Sequence, residues 1–267
     1  MEPDSARAHR FTVLPDAIWK REYSIMTPRY SFIIPAYNEQ AVIASTIDAI
    51  HQAAVSLEGA FEIIVVNDAS TDRTAQIARE KGASVVDVHK RQIAAVRNAG
   101  AEVAVGEILV FVDADTLVAT ATLRELEHLL QDPRVVAGGA RLEFDRPPPF
   151  GGLAARIFLF VYFAANLAAG GFLFARRDTF FRAGRFDERY FCAEEVYLSR
   201  ALKRLGKFKI IQHPVITSAR KFRMKNARDH MNLIKHLIRG GSRGWESREG
   251  LDMWYDGSRE NGSKLPE

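Results

Sequence analysis

The chain has 267 residues, of which 47% are hydrophobic and 26% are charged. This composition is typical of a globular protein and excludes a chain that is mainly disordered. The formal net charge of +4 is small and scattered, so it fits a phosphate-bearing ligand and does not predict nucleic-acid binding. The only cysteine, Cys192, excludes an intrachain disulfide, so we expect a cytoplasmic protein, with the inner face of the membrane as a second location.

Apolar runs alternate with segments of helical spacing between residues 30 and 144. Buried strands are expected at residues 30–35, 61–67, 84–88, 108–112 and 135–144. Helices are expected near residues 43–54, 75–78, 93–103 and 123–130. For the second helix, Asp68, Ser70 and Asp72 are candidate N-caps. Four strand–helix alternations predict an α/β fold with a mostly parallel central sheet flanked by helices.

Three consecutive prolines at 147–149 end this alternation of strands and helices, and the second half of the chain is less regular. We divide the chain into an N-terminal extension (1–29), a regular half (30–146), a less regular half (147–239) and a polar tail (240–267). The less regular half has an uncharged run at 157–175, which predicts a buried helix and a buried strand. A short helix should end at Gly184, with a further helix at 194–205, a strand at 208–216 interrupted at Pro214, and a basic amphipathic helix at 225–239.

Acidic residues follow three of the predicted strands. Glu39 comes after the first strand, Asp68 after the second, and Asp113 and Asp115 after the fourth. Because the carboxyl ends of parallel strands meet at one edge of a sheet, these side chains should lie close together, and a shared cation would offset their repulsion. Hard oxygen ligands suit Mg²⁺ or Mn²⁺. The alternative is that Asp113 and Asp115 cap the helix that begins near residue 120.

Five segments of the chain carry a resemblance to a known family. They are FIIPAYNE (32–39), VVNDASTDRTAQIA (65–78), AVRNAGAEVAVGEILVFVDADT (95–116), GGFLFARRDTFFRAGRFDE (170–188) and AEEVYLSRALKRLG (193–206). In order and spacing, over most of residues 30–221, the chain resembles the inverting family 2 glycosyltransferases of the GT-A fold. The resemblance implies a Rossmann-like fold, a donor half at 30–146, an acceptor and catalytic half at 147–239, and transfer of a sugar from a nucleotide-diphosphate sugar to a hydroxyl acceptor.

The resemblance also implies roles for individual positions. Asp68 would contact the base, uracil, and Asp115 would bind Mg²⁺ or Mn²⁺, with Asp113 on the ribose or metal side. The acceptor side would include two glycines whose backbone comes close to the sugar, Gly170 and Gly171. The remaining donor residues would line the nucleoside pocket or lie in the helix beside the nucleotide: Pro35, Ala36, Tyr37, Glu39, Arg97 and Asn98.

The adjacent acids Glu194 and Glu195 begin a predicted helix. Acids are favoured in a first helical turn by the helix dipole, so a purely structural role is one reading. The family has Glu-Asp here, and the resemblance implies that Glu195 is the general base and that Glu194 assists it. The longer Glu195 departs from the family pattern, which leaves open a protein that binds nucleotide sugars with weak catalysis.

The basic residues and one histidine of the second half leave further alternatives open. The resemblance implies His213 as a third metal ligand, and a structural histidine is the other reading. Arg220 and Lys221 would bind the leaving diphosphate or an acceptor phosphate, or form a solvated turn. A lipid-linked acceptor, with peripheral membrane contact through residues 158–163 and 225–239, is another alternative. A nucleotidyltransferase would need a glycine-rich basic loop after the first strand, where this chain has PAYNE.

Overall fold

An eight-stranded mixed sheet organises residues 27–146 and 171–220, the part of the chain that this computed structural model describes. The strands are β1 (Tyr30–Ala36), β2 (Phe61–Asp68), β3 (Ser84–Val88), β4 (Ile108–Val112), β5 (Thr116–Leu117), β6 (Val135–Phe144), β7 (Phe172–Arg176) and β8 (Lys207–Thr217). The helices are α1 (Ile43–Ala54), α2 (Thr74–Glu80), α3 (Ile93–Val103), α4 (Thr120–Leu130), α5 (Arg177–Arg182) and α6 (Glu194–Lys203).

The strand order is β3-β2-β1-β4-β7-β6-β8-β5. The first four strands along the chain are parallel neighbours, with β1 between β2 and β4. β7 enters antiparallel between β4 and β6, β8 pairs in parallel with β6, and β5 closes the edge antiparallel to β8. Four of these seven pairs are parallel, which confirms the predicted α/β fold with a mostly parallel sheet.

Both faces of the sheet are covered, because alternate residues of a strand point to opposite sides. On one face Phe32 and Ile34 of β1 pack in a buried cluster with α1 and α4. On the other face Ile33 packs with residues of α3, α5 and α6. The central strands are therefore buried on both sides, as their continuous apolar sequence indicates.

Some local expectations were wrong. β8 continues through Pro214, because the β6–β8 register shifts between Ala140 and Leu142 and the irregularity accommodates a residue without an N–H. The helix after β2 begins at Thr74 with Arg73 as N-cap, although Asp72 does accept a hydrogen bond from the Thr74 N–H at 2.9 Å. The N-cap of α4 is Ala119, without a side-chain cap, so Asp113 and Asp115 do not cap that helix.

Two predicted apolar features lie wholly or partly outside the described residues. Residues 172–176 form the strand expected at the end of the uncharged run, whereas residues 157–170 and the amphipathic helix at 225–239 are not described. Among the helices at 27–146 and 171–220, none has the length and apolarity that a membrane span requires.

Candidate functional site

The loops at the carboxyl edge of the sheet hold non-glycine residues in the left-handed region. Asn38, Ala69 and Arg91 follow β1, β2 and β3 with φ of 53°, 54° and 54°. Ala193, directly before α6, has φ of 59°. This conformation is uncommon for residues with a β-carbon and is found often where a binding site imposes the backbone path. A fifth such residue, Arg185 with φ of 65°, follows α5, so four of the five in the described part of the chain lie at this edge.

Hydrogen bonds tie the loop after β1 to the loop after β2. The Glu39 N–H donates to Thr74 Oγ1 at 2.7 Å, and the Thr71 N–H donates to Asn38 Oδ1 at 2.8 Å. Pro35 and Ala36 are buried at the end of β1. The loops after β1 and β2 are thus joined by hydrogen bonds at this edge.

Tyr37 and Asp68 both contact the loop after β3. The Arg91 guanidinium lies 3.9 Å from the centre of the half-buried Tyr37 ring. The two Asp68 carboxylate oxygens accept the backbone N–H groups of Lys90 and Arg91 at 2.7 and 2.8 Å. Arg91 was not predicted, and the signal that could have found it is a basic residue just after the third strand, at the same sheet edge.

Arg97 joins the end of β4 to the start of α6. Its Nη1 donates to Glu194 Oε1 at 2.5 Å and its Nη2 to Asp113 Oδ1 at 2.8 Å. Burial by itself lowers the pKa of Arg97, but the charges of Asp113 and Glu194 outweigh burial and hold that pKa above its usual range. These guanidinium nitrogens bind carboxylates of the protein, and the place of Arg97 beside the nucleotide stays a prediction.

Asn98 lies in α3, as predicted, and is hydrogen-bonded within the protein. Its Nδ2 donates to the Phe186 carbonyl and to Glu188 Oε1, both at 2.9 Å, and its Oδ1 accepts the Phe186 N–H at 3.1 Å. Gln92 holds the same segment by donating to the carbonyls of Glu188 and Tyr190. The buried amides of α3 therefore position the chain that leads into α6.

Glu194 and Glu195 form the first turn of α6, as predicted. Glu194 is buried in its ion pair with Arg97, and Glu195 is half-buried. Burial, and then the neighbouring charge of Glu194, raise the pKa of Glu195 to about 8, although Arg97 opposes the shift. A carboxyl group with this pKa can exchange a proton near neutral pH.

Cys192 lies just before this turn, and its surroundings do not activate the thiol as a nucleophile. Burial, and then the charges of Glu194 and Glu195, raise the pKa of Cys192 to about 12. A thiolate is therefore disfavoured at neutral pH.

Asp115, Glu39 and Arg220 form a second buried ion-pair group. The Arg220 Nη2 pairs with Glu39 and lies 3.3 Å from Asp115 Oδ2. Their side chains are 1% (Arg220), 7% (Glu39) and 9% (Asp115) exposed. Arg220 was expected on the acceptor side. The structure instead pairs it with acids that follow β1 and β4, since β8 brings the end of the described chain back to this edge.

The predicted third metal ligand lies elsewhere. The His213 Nδ1 is 2.7 Å from Glu125 of α4, and the imidazole is exposed on β8, so the structure does not bring it to Asp113 and Asp115. Among residues 27–146 and 171–220, no group of three or more His, Cys, Asp and Glu side chains is arranged to hold a metal ion. The imidazole–carboxylate pair corrects the predicted role of His213.

Of the glycines and the lysine predicted for the acceptor side, the structure describes only Gly171. The Gly171 carbonyl accepts the Asp113 N–H at 3.4 Å, and a β-carbon on Gly171 would come within 3.0 Å of Leu142. A glycine here therefore leaves room for the Leu142 side chain of β6. Gly170 and Lys221 lie outside the described residues.

The two ion-pair groups and Glu195 together form a set of acids and arginines along the sheet edge. It contains five carboxyl groups and two guanidinium groups, which leave a formal charge of −3 when all are ionised. Asp113 and Asp115 supply hard oxygens, and Mg²⁺ is commonly bound by one or two carboxylates together with phosphates and water. The donor set therefore fits Mg²⁺ or Mn²⁺ shared with a phosphate-bearing ligand. The members are Glu39, Arg220, Asp115, Asp113, Arg97, Glu194 and Glu195.

Comparison with known proteins identifies the family of this chain. Residues 31–191 match the family described as Glycosyl transferase family 2. Over 106 residues the chain is 33% identical to the uncharacterized glycosyltransferase EpsJ of Bacillus subtilis, a match that covers 38% of this chain and 30% of the relative. The chain thus spans less than a third of the length of that curated relative.

Two solved structures share the fold. The mannosyltransferase PcManGT of Pyrobaculum calidifontis, in complex with GDP-Man and Mn²⁺, aligns with a TM-score of 0.60 at 21% identity, over 79% of this chain and 61% of its own. The glucosyl-3-phosphoglycerate synthase of Mycobacterium tuberculosis, in complex with Mn²⁺, UDP and glucosyl-3-phosphoglycerate, aligns with a TM-score of 0.54 at 19% identity, over 88% and 82%. These likenesses confirm the GT-A type of α/β fold.

Proposed function

Because the chain belongs to glycosyl transferase family 2, we propose that it moves a sugar from a nucleotide-diphosphate sugar, UDP-linked, to a hydroxyl acceptor. The reaction is a single displacement that inverts the anomeric carbon. The protein therefore needs a donor pocket, a means to stabilise the leaving diphosphate, and a base for the acceptor hydroxyl.

The single observation that carries the proposal is the buried set of acids and arginines at the carboxyl edge of the sheet. A diphosphate is an anion, and a group of side chains with a formal excess of negative charge would repel it. A divalent cation held by Asp115 would resolve this conflict, because its charge would offset the repulsion. The same edge carries the half-buried Glu195, so donor and base would meet there.

Asp115 and Asp113 are the residues that would hold Mg²⁺ or Mn²⁺. When bound, the cation supplies Lewis-acid stabilisation of the charge that develops on the leaving diphosphate. Crystals of PcManGT and of the glucosyl-3-phosphoglycerate synthase contain Mn²⁺ with GDP-Man or UDP, which supports the use of a divalent metal. Asp113 is oriented for this task by its ion pair with Arg97.

Glu195 is the proposed general base. Its carboxylate would accept the proton of the acceptor hydroxyl as the oxygen attacks the anomeric carbon, and no nucleophile of the protein is required. The ion pair between Glu194 and Arg97 fixes the turn that carries Glu195. A raised pKa suits this role, because proton transfer is most effective when the pKa of the base lies close to the working pH.

The donor nucleoside would lie across the loops after β1, β2 and β3. Pro35, Ala36 and Tyr37 would line the pocket, and Asp68 would contact uracil through the acceptor capacity that remains on its two oxygens. Arg91, which stacks on Tyr37, is added to this set. Gly170, Gly171 and Lys221 stay proposed for the acceptor side.

The proposed location is the cytoplasm, with peripheral contact at the inner face of the membrane if the acceptor is lipid-linked. This part of the proposal rests on the aromatic residues 158–163 and the basic residues 225–239 of the sequence. Flotation with anionic liposomes tests it, since a protein that makes such contact would rise with the vesicles at low salt and be released at high salt.

Donor screening followed by turnover tests the function. Thermal shifts with UDP-, GDP- and dTDP-sugars are measured with and without Mn²⁺, and we expect stabilisation by a UDP-sugar that depends on the metal. Release of UDP, by transfer or by slow hydrolysis, is then followed for the wild type and Glu195→Gln. Metal-dependent donor binding without any turnover would favour the alternative of a binding protein, and no nucleotide-sugar binding at all would reject both.

A further inference from the structure

Arg220 occupies an unusual position for a cation. Its guanidinium is 1% exposed and reaches both Glu39 and Asp115 through Nη2. Its Nε is buried and has no hydrogen-bond partner among the described residues. Burial of such a nitrogen costs free energy, so Arg220 is held here by the two carboxylates and not by a complete set of hydrogen bonds.

The Arg220 guanidinium and a divalent cation would use the same carboxylate. Arg220 Nη2 is 3.3 Å from Asp115 Oδ2, and Asp115 is the carboxylate that would hold the proposed metal. Two positive groups on a 9% exposed carboxylate repel each other strongly, because little water is present to screen them. A divalent cation on Asp115 would therefore weaken the ion pair between Asp115 and Arg220.

Asp115 is also connected to the backbone that carries Arg220. The Ser218 N–H donates to the Asp115 carbonyl at 3.1 Å, and the Arg220 N–H donates to Ser218 Oγ at 3.2 Å. The Ala219 N–H donates to Asp145 Oδ1 at 2.8 Å. A displacement of the guanidinium would therefore be transmitted to the segment that follows β8.

We propose that Arg220 is a positioning residue that competes with the divalent cation for Asp115, so that cation binding releases the Arg220–Asp115 ion pair and loosens residues 218–220. The inference rests on the proposed function, in which Asp115 binds the metal. Arg220 holds Glu39 and Asp115 in place until the metal arrives, and it makes metal occupancy and the conformation of this segment interdependent. By linkage, the ion pair weakens metal binding by the same factor by which the bound metal weakens the ion pair.

Titration of the full chain with Mn²⁺ alone, by calorimetry and by loss of the free Mn²⁺ paramagnetic resonance signal, tests the competition. We expect Arg220→Met to bind Mn²⁺ at least tenfold more tightly than the wild type. Arg134→Met is the matched control, since Arg134 pairs with Asp132 at the surface, and its Mn²⁺ affinity should equal that of the wild type. Equal or weaker binding by Arg220→Met would overturn the inference while leaving the metal site intact. Absence of Mn²⁺ binding in both proteins would reject the metal site of the proposed function as well.

A second test measures amide hydrogen exchange in the wild type, so it does not require Arg220→Met to fold. Addition of saturating Mn²⁺ should speed the exchange of the amides of residues 218–220. The variant Asp115→Asn should show no such change, because its metal ligand is lost. Unchanged or slower exchange in the wild type would contradict the release of this segment, whether or not sugar transfer is observed.

Discussion

Arg97 Nη1 lies 2.5 Å from Glu194 Oε1, and this ion pair attaches the first turn of α6 to α3. Both side chains are almost fully buried, at 4% and 5% exposed. The other end of the guanidinium binds Asp113 at the end of β4. One arginine thus sets the distance between the proposed metal-binding acids and the turn that carries the proposed base.

Arg97→Met should destabilise the fold. Glu194 would keep a buried charge without a partner, and breaking a buried pair in this way costs roughly 3–5 kcal/mol. Denaturant unfolding measures the change, with the exposed Arg134→Met as the control that should stay close to the wild type. A change within about 0.5 kcal/mol would mean that the ion pair contributes little to the native state.

Glu195→Gln should lower sugar transfer by about 10²–10⁴-fold, because the amide has nearly the size of the carboxylate but cannot take the proton. Donor affinity, measured by calorimetry with Mn²⁺, should be unchanged. Glu102→Gln, at an exposed ion pair with Arg185, is the control and should keep wild-type turnover. Normal turnover by Glu195→Gln would remove Glu195 from the role of base.

The pH dependence of turnover should follow the raised pKa of Glu195. The protonated carboxyl cannot accept the acceptor proton, so kcat/KM should rise as the pH increases through the pKa of about 8. Initial rates across the range from about pH 6 to about pH 9.5 measure this rise, and the residual activity of Glu195→Gln should lack it. A midpoint near about 4, the ordinary range of a carboxyl group, would contradict the environment described for this residue.

The free energy of unfolding should also depend on the ionisation of Glu195, and it should fall as the pH rises, whereas kcat/KM rises. Because the pKa of Glu195 is raised on folding, the folded protein holds a proton that the unfolded chain releases above about pH 4.3. The contribution to stability is therefore complete below that pH and is lost as the pH rises through about 8. Melting temperatures should fall more steeply over this window in the wild type than in Glu195→Gln. Parallel curves for the two proteins would argue against the shift.

Asp115→Asn should weaken Mn²⁺-dependent binding of a UDP-sugar. The amide replaces an anionic ligand, so the loss should be at least as large as the roughly 10–100-fold that changes behind a metal ligand produce. Calorimetry with saturating Mn²⁺ measures the affinity, and Asp48→Asn, at a surface ion pair with Lys81, is the control. Unchanged affinity in Asp115→Asn would exclude this carboxylate as a ligand.

The backbone of the donor half was predictable because its signals are local. β1, β2 and β4 contain short apolar runs, and an acid lies at or just after the end of each strand. The sheet edge that collects Glu39, Asp68 and Asp115 therefore follows from the sequence pattern. Glu194 and Glu195 were likewise placed at a helix start from their local pattern. Pro214 shows the limit of this reasoning, because a shift in the β6–β8 register absorbs the residue that was expected to interrupt the strand.

The partners of the buried polar groups were decided only by the tertiary structure. Arg97 and Glu194 are 97 residues apart in the chain, and Arg220 and Glu39 are 181 apart. No periodicity connects such pairs, and a basic residue near a proposed phosphate site reads the same in sequence whether it binds a ligand or a carboxylate. The chain by itself determined which residue types reach the carboxyl edge. Long-range packing determined which charges neutralise one another there, because a buried ion must take the counter-ion that the folded backbone brings within reach.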